Sequence, residues 1–505
     1  MKSVSNTKRL AKNTMFMYLR MIVLVIISLY TSRIILEQLG VTDFGIYNVV
    51  GSIVVMFSSL KSMLASSTQR FLNYEMGRKN DAMLKKIFSM SIEINVIASI
   101  IFIIIVEVVG IWFLNNKINI PEDRFDAAFI VFQLSVLTVV LGFINSPLDA
   151  CIIANEKMNY YAYISIIEGC LKLFVCFVLA WSSSDKLILY GILLFIISII
   201  VFFANLIYCK TNFKECIFNW ILDKKLFKEM ASFAGWAFLG NTAFSLSQSG
   251  INLVLNIFGG PIVNTARGIS YQVNNVFTNF ISNISIVIRP YMIKSYSGGE
   301  IQKSFRIVYF SSKLYYYIQL ALALVTICFA EQILKIWLGQ VPEYTVVFLD
   351  LVLVYTVIRS LHGPVDTLFS ARGKYKYYQI IEGTVLMLPV VASYFLLEYG
   401  LPYYSVFIAV IFFEAFDLFC VLLLARKQCD LNLTEYYKEV VYPCIMGSIL
   451  AIIGYWCSVH TDALYFKIII IVVSEIIILF YLYLWGINNT EKSIIHNLIG
   501  HKNKV

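Results

Sequence analysis

Cations and amides placed within apolar stretches are the residues of this sequence best suited to chemistry. Arg33, Lys61, Arg267 and Arg359 all interrupt runs that are otherwise apolar. A charge in such surroundings is expensive and is usually kept for a partner or a ligand. Asn241, Ser245, Gln248, Asn252 and Asn256 follow steps of four, three, four and four. Arg267, Tyr271, Asn274, Thr278, Ser285 and Arg289 form a second stripe, broadened by Asn275, Asn279 and Asn283. At about 100° per residue, each set falls on one face of a helix. Ser58, Ser62, Ala65 and Gln69 make a third such face, with Lys61 at its edge. Arginine presents paired donors to phosphate oxygens, and amides and hydroxyls suit sugars. The pattern therefore predicts a wet, cationic surface suited to an anion such as phosphate or pyrophosphate, or to a sugar. The competing reading, helix–helix glue, fits the scattered Ser and Thr better than the long stripe that carries Arg267.

Other charges have two readings each. Arg359, His362 and Asp366 stand at i, i+3 and i+7, as a structural charge network or as a relay for a proton or substrate. Arg33 and Arg267 fall near the predicted outer ends of their helices, where a long cationic side chain also snorkels to water. Lys172 follows Glu168 by four residues and is expected to pair with it. Arg70 and Arg289 fall at the predicted cytoplasmic mouth, where topology alone accounts for them, although they would also flank access to a cleft. Glu93, Glu107, Glu168, Glu331, Asp350, Glu382, Glu414, Asp417 and Glu475 also lie in apolar surroundings. Some of them are candidates to couple transport to Na+ or H+. No metal-ligand or catalytic pattern is present, and no cofactor is expected. The ten cysteines form no CxxC pair and read as small buried hydrophobes.

These side chains must be held by membrane-spanning helices. The chain has 505 residues, 59% hydrophobic and 14% charged, with a mean hydropathy of +0.77. Soluble domains are about 45–50% apolar and about 25% charged. Apolar runs long enough to cross a hydrocarbon core of about 30 Å recur throughout, without the period-two alternation of a barrel. We expect an all-α integral membrane protein of about fourteen spans. They fall near 15–36, 45–68, 89–114, 127–150, 162–182, 188–209, 233–257, 263–288, 314–338, 347–370, 379–397, 403–425, 441–459 and 465–487. The first is read as a retained helix, because no small-residue cleavage site follows it.

Loop charges orient the spans. One set of alternate loops carries most of the Lys and Arg, while the other carries only Lys117, Arg124, Lys186 and Lys467. The positive-inside rule makes the rich side cytoplasmic, both termini included. The net charge of +9 is then topology rather than a nucleic-acid surface. Outer loops are short, the longest running from Asn115 to Asp126.

The sequence also repeats. Ser146-Pro147-Leu148-Asp149, Ala154, Lys157 and Tyr160-Tyr161 are answered by Gly363-Pro364-Val365-Asp366, Ala371, Lys374 and Tyr377-Tyr378 at a constant offset of 217. Ile167-Glu168-Gly169 is answered by Ile381-Glu382-Gly383 after a three-residue gap. A parallel repeat predicts two six-helix lobes about an axis along the membrane normal. The expected organisation is a lobe at 1–210, a linker at 211–232, a second lobe at 233–426, and a helix pair with a tail at 427–505. Two lobes around one cleft is the geometry of a carrier.

Against this frame a resemblance emerges. The segments concerned are Arg33-Ile-Ile-Leu-x-x-Leu-Gly40 with Phe44-Gly45-Ile46-Tyr47, and Thr68-Gln69-Arg70-Phe71 with Tyr74-Glu75-Met76-Gly77. To these are added Ala266-Arg267-Gly268-Ile269, Gln272-Val273-Asn274-Asn275, Arg289-Pro290 and Lys294-Ser295-Tyr296. As a set they resemble, over nearly the full length, bacterial polysaccharide (O-antigen) flippases of the multidrug/oligosaccharidyl-lipid/polysaccharide exporter superfamily. The resemblance implies a V-shaped central cavity and export of an undecaprenyl-pyrophosphate-linked oligosaccharide for O-antigen or capsule synthesis. The location implied is the bacterial inner membrane. Arg33, Lys61 and Arg267 would hold the pyrophosphate, with Gln272, Asn274 and Asn275 as polar lining. The resemblance implies lipid and polymerase machinery as the partners of a monomer.

Three rivals remain. A multidrug extruder of the same superfamily would favour an acidic cavity. A twelve-helix facilitator would carry Gly-x-x-x-Asp-Arg after its second span, which the loop from Asn73 to Lys86 lacks. A glycan polymerase would need a large outer loop, and an acyltransferase an intramembrane His, for which only His362 is a candidate.

Overall fold

The computed structural model describes residues 13–27, 30–31, 34–35, 37–40, 43, 46–47, 58–116, 121–221, 223–338, 341–461 and 463–486. Arg33 lies outside the described residues. All regular structure among the described residues is helical. In chain order the helices are α1 (Asn13–Ile27), α2 (Ser58–Arg78), α3 (Asp81–Asn116), α4 (Phe125–Ala154), α5 (Met158–Trp181) and α6 (Lys186–Asn212). They continue with α7 (Lys224–Ser297), α8 (Ile301–Cys328), α9 (Ala330–Leu338), α10 (Thr345–Arg359), α11 (His362–Arg372) and α12 (Tyr375–Glu398). The last are α13 (Ser405–Cys429), α14 (Leu433–Val459) and α15 (Leu464–Leu484). Their apolar side chains point outward as well as inward: Ile97, Ile100, Ile101, Ile104 and Ile105 of α3 are all exposed. Such a surface is stable only against lipid.

Ten helices among the described residues are long and apolar enough to cross a membrane. Counting α8 and α9 as one span, bent by 74°, gives eleven. The expected fourteen is not reached among the described residues. The predicted first and second spans are only partly described. The seventh, in the first half of α7, is not among the ten, because its Asn, Gln and Ser residues lower its hydropathy. The predicted span 314–338 is corrected to a helix that starts at Ile301 and bends after Cys328.

Packing divides the chain into two compact units, Lys12–Phe238 and a second that takes up again at Leu239. In the first, α2, α3 and α6 pack on α4. Arg124, just before α4, bridges two acidic residues far apart in sequence: its guanidinium donates to Asp43 at 2.8 and 2.5 Å and to Asp185 at 2.5 and 3.2 Å. The hydrogen bond from Arg124 holds the Asp185 carboxyl below its usual range.

In the second unit α10 and α12 pack on α13, and α8 packs on α10. The final pair is built onto α8: the Tyr317 hydroxyl donates to the Pro443 carbonyl at 2.6 Å. Lys313, expected as a loop charge, is instead buried at 2% exposure and donates to the Gly486 carbonyl at 2.9 Å.

The repeat persists in the backbone. Glu156 (φ 58°) and Gly373 (φ 79°) both take the left-handed conformation at an offset of 217. The residues that follow, Lys157 (φ −86°, ψ 56°) and Lys374 (φ −95°, ψ 52°), are nearly superimposable in dihedral space. α7 departs from helical geometry at Gly260, with φ 66° and ψ −164°, a region open in practice only to glycine. Gly260→Ala is expected to destabilise the protein by about 1–3 kcal/mol. Thermal unfolding in detergent would show a lower Tm, and an unchanged Tm would refute the assignment of the break to this residue.

Candidate functional site

The break at Gly260 builds the first half of the site. In an unbroken helix, Gln248 and Arg267 would be about 28 Å apart at 1.5 Å per residue. Instead they touch. The Arg267 guanidinium donates to the Gln248 carbonyl (2.9 Å), to Gln248 Oε1 (2.8 Å) and to Asn252 Oδ1 (3.2 Å), and lies over the Tyr271 ring at 4.4 Å. The two halves of α7 therefore lie side by side. They share a core of Ile251, Val254, Leu255, Val263 and Ala266 with Phe348, Val352 and Phe407. On the other side of the first half, small residues let α12 come close. A Cβ on Gly240 would strike Gln379, one on Gly250 would meet Val390, and Ser247 donates to the Leu386 carbonyl at 2.5 Å. The amide stripe points away from that seam.

Arg267 is only 7% exposed. No carboxylate stands within ion-pair distance of it among the described residues, and its Nε is buried without a hydrogen bond. The groups that touch it among the described residues, Gln248, Asn252 and Tyr271, are neutral. An arginine held in an apolar bundle by amides and a ring keeps its full positive charge available to an anion. Of the predicted polar lining, Asn241, Asn252, Gln272 and Asn275 are exposed and Gln248 is half-buried, whereas Asn274 is buried and accepts from the Thr356 hydroxyl at 2.5 Å.

The second half of the site is acidic. The sequence placed Arg359, His362 and Asp366 on one helical face, and the backbone stays right-handed through Ser360 and Leu361, but the three side chains do not all share partners. Arg359 turns onto α12 and α13. It donates to Glu382 Oε1 at 2.6 Å and Glu414 Oε1 at 3.2 Å, with Asp417 Oδ2 at 3.9 Å. His362 Nε2 is 3.1 Å from Glu414, and its Nδ1 is 3.7 Å from Asp417. Asp366 instead accepts from the Tyr375 hydroxyl at 2.7 Å. Two expectations are thereby corrected. Arg359 is neutralised by carboxylates rather than left open for an anion, and His362 and Asp366 do not form a direct relay. Ligand atoms of His362, Glu382 and Asp417 lie within 4.8 Å of one another, and both Asp417 oxygens are buried without a hydrogen bond. Three carboxylates face one guanidinium in a buried site. Such an excess calls for a proton or a cation.

Lys61 lies in the first unit, 4.0 Å from Asp149 and alongside Gly142. Asp149 accepts from Asn145 (3.0 Å) and Asn205 (3.0 Å), and Asn205 also donates to Asn145 at 3.1 Å. Sequence reasoning missed Asn145 and Asn205. Asn145 and Asp149 at i, i+4 in an apolar helix was the available signal. Arg70, expected at an open mouth, is 8% exposed and is packed by Phe71, Tyr74 and Phe233. Arg289 is half-buried, with Asp366 and Tyr375 as electrostatic neighbours. The expected Lys172–Glu168 pair is formed at 2.6 Å.

Comparison with solved structures places this arrangement. A MATE transporter crystallised in its bent conformation is similar with a TM-score of 0.74 and 12% identity, over 85% of this chain and 98% of that one. The chain has the MATE fold. An outward-facing multidrug-resistance MATE transporter of the MOP superfamily matches with a TM-score of 0.72, again at 12% identity and 85% and 98% coverage. A MOP-superfamily transporter from Pyrococcus furiosus, described by the reverse polarity of its binding pocket, matches at 0.71 with the same identity and coverage. No family model and no curated protein sequence matches the chain.

Proposed function

We propose that the protein is a flippase that moves an undecaprenyl-pyrophosphate-linked oligosaccharide from the cytoplasmic to the periplasmic leaflet by alternating access of two lobes around a V-shaped cavity. It would act in cell-surface polysaccharide synthesis in a bacterial inner membrane, with both termini cytoplasmic. The MATE fold supports a carrier. The observation that carries the substrate class is Arg267: a buried guanidinium with no carboxylate in ion-pair distance among the described residues, beside exposed and half-buried amides that suit a glycan. Among the solved relatives, a binding pocket of reversed polarity has been described for the P. furiosus transporter.

A multidrug extruder is the second reading, and the carboxylate excess around Arg359 favours it, because buried carboxylates in excess take up a proton or a cation, as cation-coupled export requires. Depletion in the host separates the two. The flippase reading expects lipid-linked glycan to accumulate, inaccessible to a glycan-modifying enzyme added to spheroplasts. Normal periplasmic glycan together with drug hypersensitivity would establish the extruder instead.

A further inference from the structure

The first unit contains a cavity of about 160 Å³ between three helices. Phe88 and Ile92 of α3, Ile144 and Leu148 of α4, and Phe202 and Leu206 of α6 form its walls. These walls are apolar, and they lie in spans whose outer faces meet lipid. A single charged group, Lys210, reaches the lining. It stands one turn beyond Leu206 and two beyond Phe202 on α6, so the apolar stripe extends about 12 Å below the ammonium group. That is most of one leaflet of hydrocarbon, about 15 Å. Lys85 repeats the pattern on α3, three residues before Phe88 and seven before Ile92 on the same face. Both lysines are exposed, and neither is in an ion pair among the described residues.

The roof is built rather than loose. The segment between α6 and α7 is extended and strapped to α3. The Ser89 hydroxyl donates to the Ile217 carbonyl and accepts from the Asn219 N–H, both at 3.1 Å, and Glu93 accepts from the Ile221 N–H at 2.7 Å. Cys216 and Phe218 from this segment close the cavity. Phe218 and Trp220 meet edge to face and remain exposed at 46% and 71%. Exposed aromatics at the end of a span mark the headgroup level of a bilayer.

We propose that this cavity is a binding site for an anionic phospholipid, with an acyl chain between α3, α4 and α6 and its phosphate held by Lys85 and Lys210. The charge order selects this occupant: apolar below, two cations above, aromatics at the level between. The site lies in the leaflet at the lysine-rich end, the cytoplasmic one in the orientation proposed above, and does not depend on the transported substrate.

The test uses the full-length protein purified in neutral detergent, with bound lipid measured by native mass spectrometry. Phosphatidylglycerol is expected to be retained over phosphatidylcholine. Lys85→Gln with Lys210→Gln should weaken phosphatidylglycerol retention roughly tenfold or more. Leu206→Trp, which fills the cavity, should lose it while both lysines remain. Thermal unfolding without added lipid identifies a variant that fails to fold, and Phe202→Trp then replaces Leu206→Trp. Equal retention by wild type and folded variants overturns the proposal. So does retention of undecaprenyl phosphate, and not of phosphatidylglycerol, through the two lysines, since the occupant would then be a substrate tail.

Discussion

Arg267→Ala is expected to abolish glycan export while leaving the protein in the membrane at its normal level. The two effects separate because of what surrounds the guanidinium. Its acceptors are Gln248, half-buried, and Asn252, exposed. Water can replace the lost donor at both, so the stability loss should stay near the about 1 kcal/mol of an ordinary hydrogen bond. An anion seated on the guanidinium loses a charge-assisted, bidentate partner, at about 2–5 kcal/mol, or roughly thirty- to several-thousand-fold in affinity. Arg267→Lys keeps the charge without the fork and should recover only part of the export. The measurement is surface glycan per unit of membrane-inserted protein. Unchanged export in the alanine variant would remove Arg267 from the site.

The second large effect is on folding. Arg359→Ala leaves Glu382, Glu414 and Asp417 buried together without their guanidinium. Removing one partner of a buried ion pair costs about 3–5 kcal/mol, a large share of the marginal stability of a protein. Folded protein should fall sharply, and adding Glu414→Gln should restore much of it by lowering the charge to be buried. Size-exclusion recovery and Tm in detergent report both. An Arg359→Ala protein of unchanged Tm would mean that these carboxylates are already protonated or cation-bound, and the ion-pair account would fall. Together the two arginines make an internal control: one is predicted to matter for transport and the other for integrity.

Helical periodicity was enough to find Arg267 and its amides, because every residue involved lies on α7 and the stripe is long. It could not show that Gln248 and Asn252 meet Arg267, since that depends on one backbone conformation at Gly260. The spans expected at 233–257 and 263–288 already put a turn between them, but no single-helix pattern says which residues face each other across it. The acidic cluster was legible only as separate carboxylates, since Arg359, Glu382, Glu414 and Asp417 come from three helices whose packing no single-helix pattern encodes. Packing then divided that face between two environments, with Arg359 and His362 against carboxylates of neighbouring helices and Asp366 against Tyr375. Loop charge set the expected orientation of the spans. It failed at Lys313, where a cation near a helix end is buried by the final helix pair.

The shared turn at Glu156 and Gly373 has a further consequence. Two segments that keep the same left-handed turn at one offset can be compared position by position. At that offset Gly142 answers Arg359, Asn145 answers His362 and Asp149 answers Asp366. The earlier copy uses amides, and its cation is borrowed from Lys61 on another helix. The later copy carries its own arginine and imidazole beside carboxylates. At matched positions the chain thus carries a joint of amides around one carboxylate and a cluster in which three carboxylates share one guanidinium, so the same backbone turn supports two opposite balances of charge.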